Sequence, residues 1–364
     1  MLTICPTADY EIYFGQNILA ANEVLFEPTR KLLALWQEAG VSATLFPDVC
    51  SVWRHREMGM SEYVDEFESQ IQNAANGGHD IQLHIHPEWG AAERVNGSWR
   101  FQEGTHALHD LGFSEGQDGA GELLTKGKQY LEGLLKPHSP AYRCRVFRAG
   151  GWIIQPEKAL FQALLDRGID TDATVIPGVC LPRGDYRIDF RDVPCSGNWF
   201  IDPDVGISQD SGNASDMFEV PIASYRGRGA FWVHVANQLR LRYRMKRNRQ
   251  PTRGFPITKK GRKRTLAKRI RDKVKILSLP RILDMADTHE SMITIVESYL
   301  KKQSYLQTDV ALCMNGHPKD TYDFHLTELR KFFEIMRHRY SGEVTFATIS
   351  EFVAARRQAA AHEG

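Results

Sequence analysis

The chain has no long hydrophobic run, and none of its apolar stretches approaches the length of a bilayer span. Its amino terminus, Met1-Leu2-Thr3-Ile4-Cys5-Pro6, lacks a basic leader followed by an apolar core, so no secretory signal is expected. Only six cysteines occur in 364 residues, at positions 5, 50, 144, 180, 195 and 313, without Cys-x-x-Cys pairs or framework spacing. That pattern argues against a disulfide scaffold or a thiolate zinc site, and several of these thiols sit inside apolar runs as small hydrophobes. Together these absences lead to the expectation of a cytoplasmic protein. No internal repeat is visible, and the formal net charge is only +1.

That small net charge conceals an asymmetry. Between Arg240 and Lys275 there are 17 Lys or Arg and one acid, Asp272, so this stretch carries +16 and the remainder −15. The pattern is that of a basic device on an acidic body. Residues 239–285 are therefore read as a basic, partly helical insertion. Residues 1–238 and 286–364 are read as a single domain. Within the insertion, Leu266, Ile270, Val274 and Leu277 fall on one side of a basic helix. Such a helix suits the anionic face of a membrane at about 1 kcal/mol per nearby basic residue. A placement peripheral to the inner face of the membrane follows through residues 239–279. A nucleic-acid partner is disfavoured, because the body is acidic and carries no recognition motif.

Elsewhere, short strand patterns alternate with helical ones. Strands are expected at 2–8, 41–49, 79–86, 143–147, 169–176, 218–222, 309–314 and 343–346. Helices are expected at 28–39, 61–76, 122–135, 156–167, 289–302, 324–339 and from Ser350. Pro28 at a start and Gly40 at a stop support the first helix. Regular alternation implies a parallel sheet covered by helices, and about seven units favour a (β/α) barrel over an open sheet. Long excursions at 90–120 and 180–217 exceed what a connector needs, so they are expected to shape a site.

A parallel barrel carries its chemistry at the carboxyl ends of its strands. In the run Asp80-Ile81-Gln82-Leu83-His84-Ile85-His86-Pro87-Glu88, strict alternation puts His84 and His86 on one face. Two imidazoles with a nearby carboxylate suit a divalent cation. Asp9 and Glu11 follow the first strand at a spacing of two. Arg148 precedes a Gly150-Gly151 turn, and His317 follows the apolar run Val310–Met314. Trp89, Trp99, Trp152 and Trp199 lie near these motifs, either as sugar-stacking faces or as core.

The motif series resembles that of the NodB-homology polysaccharide deacetylases (carbohydrate esterase family 4), with the nearest likeness to the WbmS-like branch found in surface-polysaccharide gene clusters. The resemblance runs in motif order over roughly residues 3–350. Gly78–Pro87 resembles the family's histidine motif, and Arg148-Ala149-Gly150-Gly151-Trp152 its arginine motif. Gly168–Thr174 resembles the strand that follows. Asn315-Gly316-His317-Pro318 resembles the closing histidine motif. Two positions depart from the pattern. Ala8-Asp9-Tyr10-Glu11 stands where a Thr-Phe-Asp-Asp-Gly type run is usual, and Glu88 occupies the place of the second metal histidine.

The resemblance implies a distorted, NodB-like (β/α) barrel of about seven parallel strands with long loop insertions. It also implies a metal-dependent hydrolase that removes N-acetyl groups from a sugar or surface-polysaccharide precursor. The implied cofactor is a divalent metal, zinc foremost, held by Glu11, His84 and His86 or Glu88. Asp9 would serve as base, Arg148 would hold Asp9 ionised, and His317 would protonate the leaving amine, with Asp172 orienting that imidazole. The roles of Asp9 and Glu11 are interchangeable at this level. Two other readings stand beside this one. A catalytically silent relative would bind a glycan or a membrane surface. An amidohydrolase-type barrel would place its His-x-His after the first strand rather than some eighty residues in.

Overall fold

The computed structural model describes residues 1–14, 20–102, 104, 106–113, 119–194, 197–226, 235–236, 239–240, 243, 279–306 and 309–363. Most of the basic insertion, including the expected helix around Leu266–Leu277, lies outside the described residues.

Seven parallel staves close on themselves. The first strand, Leu2–Tyr10, pairs with Thr44–Pro47 in the register Asp9↔Phe46. Thr44–Pro47 pairs in turn with Asp80–Ile81, and Asp48 bridges to His84 one step on. Leu83–Ile85 lies beside Val146–Ala149 with His84 opposite Arg148. The ring continues through Thr171–Asp172 to Met217–Glu219. An Ile222–Cys313 bridge then leads to Val310–Met314, which returns to the first strand with Cys5 opposite Cys313. Every pairing in this circuit is parallel, as a βα-alternating sequence requires. Val344–Phe346 pairs with the amino-terminal half of the first strand, the part that Thr44–Pro47 leaves uncovered. The architecture is the expected distorted (β/α) barrel.

All nine residues of the first strand are buried, including Thr7 and Asp9, because strands flank it on both sides. The helices outside the ring face it with apolar stripes. Glu27–Ala39 buries Leu32, Leu35 and Trp36, and Gly40 stops it in the left-handed conformation (φ 54°) that glycine tolerates best. Ser61–Asn76 buries Tyr63, Val64, Phe67, Ile71 and Ala74, which are helically spaced. Among the described residues, no helix is long and apolar enough to cross a membrane.

Several strands are shorter than their sequence patterns suggest, and for three of them the reason is local. The run 41–49 pairs only over Thr44–Pro47, because Asp48 turns to cap the helix Val49–Glu57, accepting from the Cys50 N–H at 3.2 Å. The histidine strand breaks at Gln82, whose buried amide replaces ladder bonds. Its Oε1 accepts from the N–H groups of Arg145 and Val146 (3.0 and 2.8 Å), while Nε2 donates to Asp80 at 2.8 Å. The run 169–176 pairs only at Thr171–Asp172, because the Thr174 hydroxyl takes the Ala149 N–H (2.9 Å) that a ladder carbonyl would otherwise accept. The long excursions each hold a two-stranded hairpin. The first, Glu93–Val95 with Ser98–Arg100, turns through Asn96-Gly97, both at positive φ, the signature of a type I′ turn.

Candidate metal and catalytic site

Four staves bring their carboxyl ends to one point. The first delivers Asp9 and Glu11, the histidine strand His84 and His86, the next Arg148, and the seventh His317. Glu11 Oε2 lies 3.4 Å from His84 Nε2 and 2.7 Å from His86 Nε2. All three atoms fall within 4.8 Å of one another, and all three residues are buried. Glu11 Oε2 and His84 Nε2 have no hydrogen-bond partner, although water does not reach them. Leaving polar atoms unpaired in the interior costs about 1–3 kcal/mol each. Buried donor atoms gathered this closely are what a shared cation satisfies. The donor set of two imidazoles and a carboxylate therefore fits a divalent metal.

The far side of each imidazole is fixed. His84 Nδ1 donates to the Arg148 carbonyl at 2.8 Å, which sets the tautomer and leaves Nε2 with its lone pair inward. His86 Nδ1 faces Glu88 Oε2 at 3.3 Å. Glu88 thus stands behind His86 and is not part of the converging group. Of the two alternatives, the structure brings His86 to the centre and holds Glu88 back. A glycine at 150 makes this packing feasible. A Cβ there would meet the Ile85 carbonyl at 2.5 Å and His86 Nδ1 at 2.8 Å.

Asp9 sits beside this group in a different setting. Its Oδ1 pairs with Arg148 Nη1 at 2.8 Å, and its Oδ2 lies 3.4 Å from His317 Nε2. Arg148 is fully buried. It also donates to Thr7 Oγ1 (2.8 Å) and the Ala173 carbonyl (2.9 Å), and its guanidinium lies over the Phe46 ring at 4.3 Å. Burial alone would push the Asp9 carboxyl up, but Arg148 and then His317 more than reverse this and hold it well below the usual carboxylate range. Burial pulls His317 down, yet its contact with Asp9 raises it above the ordinary imidazole value on balance. His317 and Glu88 are the two partly exposed members of the expected set.

Asp172 does not reach His317, contrary to expectation. Its oxygens accept from the Thr174 N–H and hydroxyl at 3.1 and 2.7 Å, and its neighbour is Glu219, another buried acid. Burial and the nearby Asp172 push the Glu219 carboxyl well above the normal range. The tryptophans divide. Trp89, Trp99 and Trp199 belong to the core, whereas Trp152 is partly buried beneath Arg183 at 5.2 Å.

Two site residues gave no distinct signal in the sequence. Lys319 is buried with its Nζ 2.6 Å from Glu11 Oε1. Nothing local links it to a glutamate some three hundred positions away. Asp48 lies at a strand end, where a barrel site would be sought, but it also reads as an ordinary helix cap. Its Oδ1 accepts from the N–H of both Cys50 and His86, and its Oδ2 has no hydrogen-bond partner. Burial pushes its carboxyl up to about 6, against the opposing pull of His86 and His84. A cleft of about 1210 Å³ has Ile12, the residue after Glu11, in its wall, with Phe26, His55, Tyr63, Arg94 and Trp99.

No protein-family model and no curated protein matches the chain. Among solved structures, it is similar to a protein assigned as a polysaccharide deacetylase from Mycobacterium smegmatis, at 14% identity and TM-score 0.46, over 98% of this chain and 90% of the other. It is also similar to a probable polysaccharide deacetylase from Pseudomonas aeruginosa, at 12% identity and TM-score 0.45, over 97% and 89%. A family 4 acetyl xylan esterase from Clostridium thermocellum, solved with a cobalt ion, matches at 14% identity and TM-score 0.26, over 49% and 60%.

Proposed function

We propose that this protein is a metal-dependent hydrolase that removes N-acetyl groups from a sugar or a surface-polysaccharide precursor. The observation that carries the reading is the meeting of three buried donor atoms, two of them without any other partner, beside an ionised Asp9 and a raised His317. Glu11, His84 and His86 would hold the cation, with zinc favoured by the nitrogen-rich donor set. When bound there, it would supply Lewis acidity toward an amide carbonyl and lower the pKa of a nearby water.

The chain's own groups would do the rest. Arg148 occupies Asp9 Oδ1, so Oδ2 is the oxygen left to accept the proton of the attacking water. Arg148 also keeps that carboxylate ionised in a site where burial alone would neutralise it. His317, which its contact with Asp9 raises above the ordinary imidazole value, would pass a proton from Nε2 to the departing nitrogen, giving acetate and a free amine. Glu88 would orient His86 through Nδ1 and strengthen it as a donor. The two carboxylates then have separate tasks. Glu11 faces the imidazoles, and Asp9 faces the arginine and His317.

In this reading the barrel comprises residues 1–238 and 286–364, and residues 239–279 of the basic insertion at 239–285 would hold it against an anionic membrane surface. Elemental analysis of the purified protein, paired with an acetate-release assay on N-acetylated nucleotide sugars and oligosaccharides, tests the function. The expected result is one divalent ion per chain and acetate from at least one substrate, both lost in His84→Ala. Purified protein that binds no zinc, cobalt or manganese under any loading condition would refute it.

A further inference from the structure

Glu11 has two oxygens in unlike surroundings. Oε2 faces the imidazoles and has no hydrogen-bond partner, while Oε1 lies 2.6 Å from Lys319 Nζ. The lysine is firmly seated. Its Nζ also reaches the Ile12 carbonyl at 3.4 Å and lies 5.3 and 5.5 Å from the Tyr13 and Phe14 ring centroids. Its backbone is tied back to the same segment, because the Tyr13 hydroxyl donates to the Lys319 carbonyl and to Asp320 Oδ1, both at 2.8 Å. With the residue only 7% exposed, the lysine has little water to turn to.

Each carboxylate of the site thus has a permanently basic partner of its own, Asp9 in Arg148 and Glu11 in Lys319, with His317 Nε2 between the two acids at 3.4 and 3.6 Å. A carboxylate free at both oxygens could grip a cation with either or both. This one can offer only Oε2.

We propose that Lys319 is a positioning residue that holds Glu11 Oε1, so that the carboxylate binds the cation through Oε2 alone and with part of its charge already offset. The proposal rests on the metal reading above. Lys319 would thereby trade strength of metal binding for a single geometry and an open coordination position, which a catalytic site requires and a storage site does not. A positive charge this close to a ligand opposes a dication directly in a poorly screened interior.

The test compares the wild-type protein with Lys319→Met, Lys319→Gln and Lys319→Arg at pH 8, using zinc and cobalt as probes. Competition with a chromogenic chelator reads zinc affinity, and the visible absorption of the cobalt form reads coordination number. Lys319→Met should bind zinc about tenfold more tightly or better. Its cobalt bands should weaken as the freed second oxygen enters the coordination sphere. Lys319→Arg should retain the wild-type spectrum and affinity. Lys319→Gln, which keeps a donor without the charge, should retain the spectrum while affinity rises. If Lys319→Met does not fold, the glutamine and arginine variants carry the comparison. Wild-type affinity and spectrum in both the methionine and glutamine variants would overturn the proposal. A wild-type protein that binds neither ion would instead overturn the metal reading itself.

Discussion

Replacing Arg148 with methionine isolates the charge on which Asp9 depends. The side chain is fully buried and makes a 2.8 Å ion pair with Asp9, together with bonds to Thr7 and the Ala173 carbonyl. Methionine can keep the packing over Phe46 but leaves the Asp9 carboxylate in the interior without its cation. Removing one partner of a buried pair costs roughly 3–5 kcal/mol. Asp9→Asn should cost a comparable amount, because it strands the guanidinium. The double variant removes both charges, so its loss should fall short of the summed single losses by about 2 kcal/mol or more. Denaturant unfolding of the metal-free protein, in chelator, measures all four corners of the cycle.

The pH dependence supplies an independent check. In the folded chain Asp9 titrates below its unfolded value of about 3.9. The pair's contribution is therefore fully present above that value and is lost as the pH falls through it towards the folded one. This acid step should be present in the wild type and absent in the double variant. Single losses of less than about 1 kcal/mol that simply add would refute the assignment of Arg148 as the partner that keeps Asp9 charged.

Glu88→Gln should retain metal at one ion per chain but weaken zinc affinity by about 10- to 100-fold, read by chelator competition, because it alters only the support behind His86. Burial lowers His86, but Glu11 and Glu88 raise it well above its ordinary value overall, so a proton would compete with a cation bound there. Zinc affinity should fall as the pH drops from 8 to 6, with proton release on binding seen by calorimetry in two buffers. Asp48→Asn should leave the metal-free protein at least as stable at pH 7.5, and by up to about 3 kcal/mol more stable, since the folded carboxyl titrates about two units above its unfolded value. That gain should vanish below pH 4, where both states are protonated. Gly150→Ala should cost both stability and zinc affinity, read by denaturant unfolding and chelator competition, because its methyl would press on the Ile85 carbonyl and on His86 Nδ1.

The features that could be read from the sequence were those with a short period. Alternation through Leu83–His86 placed both imidazoles on one face, and proline and glycine bounded the helix Glu27–Ala39 nearly to the residue. Counting β-then-α units gave the barrel. Strand lengths were less visible, because side chains that replace ladder bonds, such as Gln82 and Thr174, look like ordinary polar residues in an apolar run. The choice between His86 and Glu88 depended on which way two neighbouring side chains turned, which no spacing records. Lys319 was the hardest to foresee. Its meaning comes from Glu11, at the other end of the chain, and only closure of the ring between Val310–Met314 and Leu2–Tyr10 brings the two together. Asp48 was hidden by having an ordinary purpose as well, since capping the next helix already explained its presence.

The hydrogen bond from His84 to the carbonyl of residue 148 makes the two halves of the site separable in one direction. In the proposed mechanism the arginine would govern the proton acceptor Asp9 through its side chain, but it holds the imidazole through its main-chain carbonyl, which substitution leaves in place. Exchanging that residue should therefore silence chemistry while the protein still loads its ion. If the proposed function holds, this one substitution would give a metal-replete, inactive form suited to trapping an intact substrate.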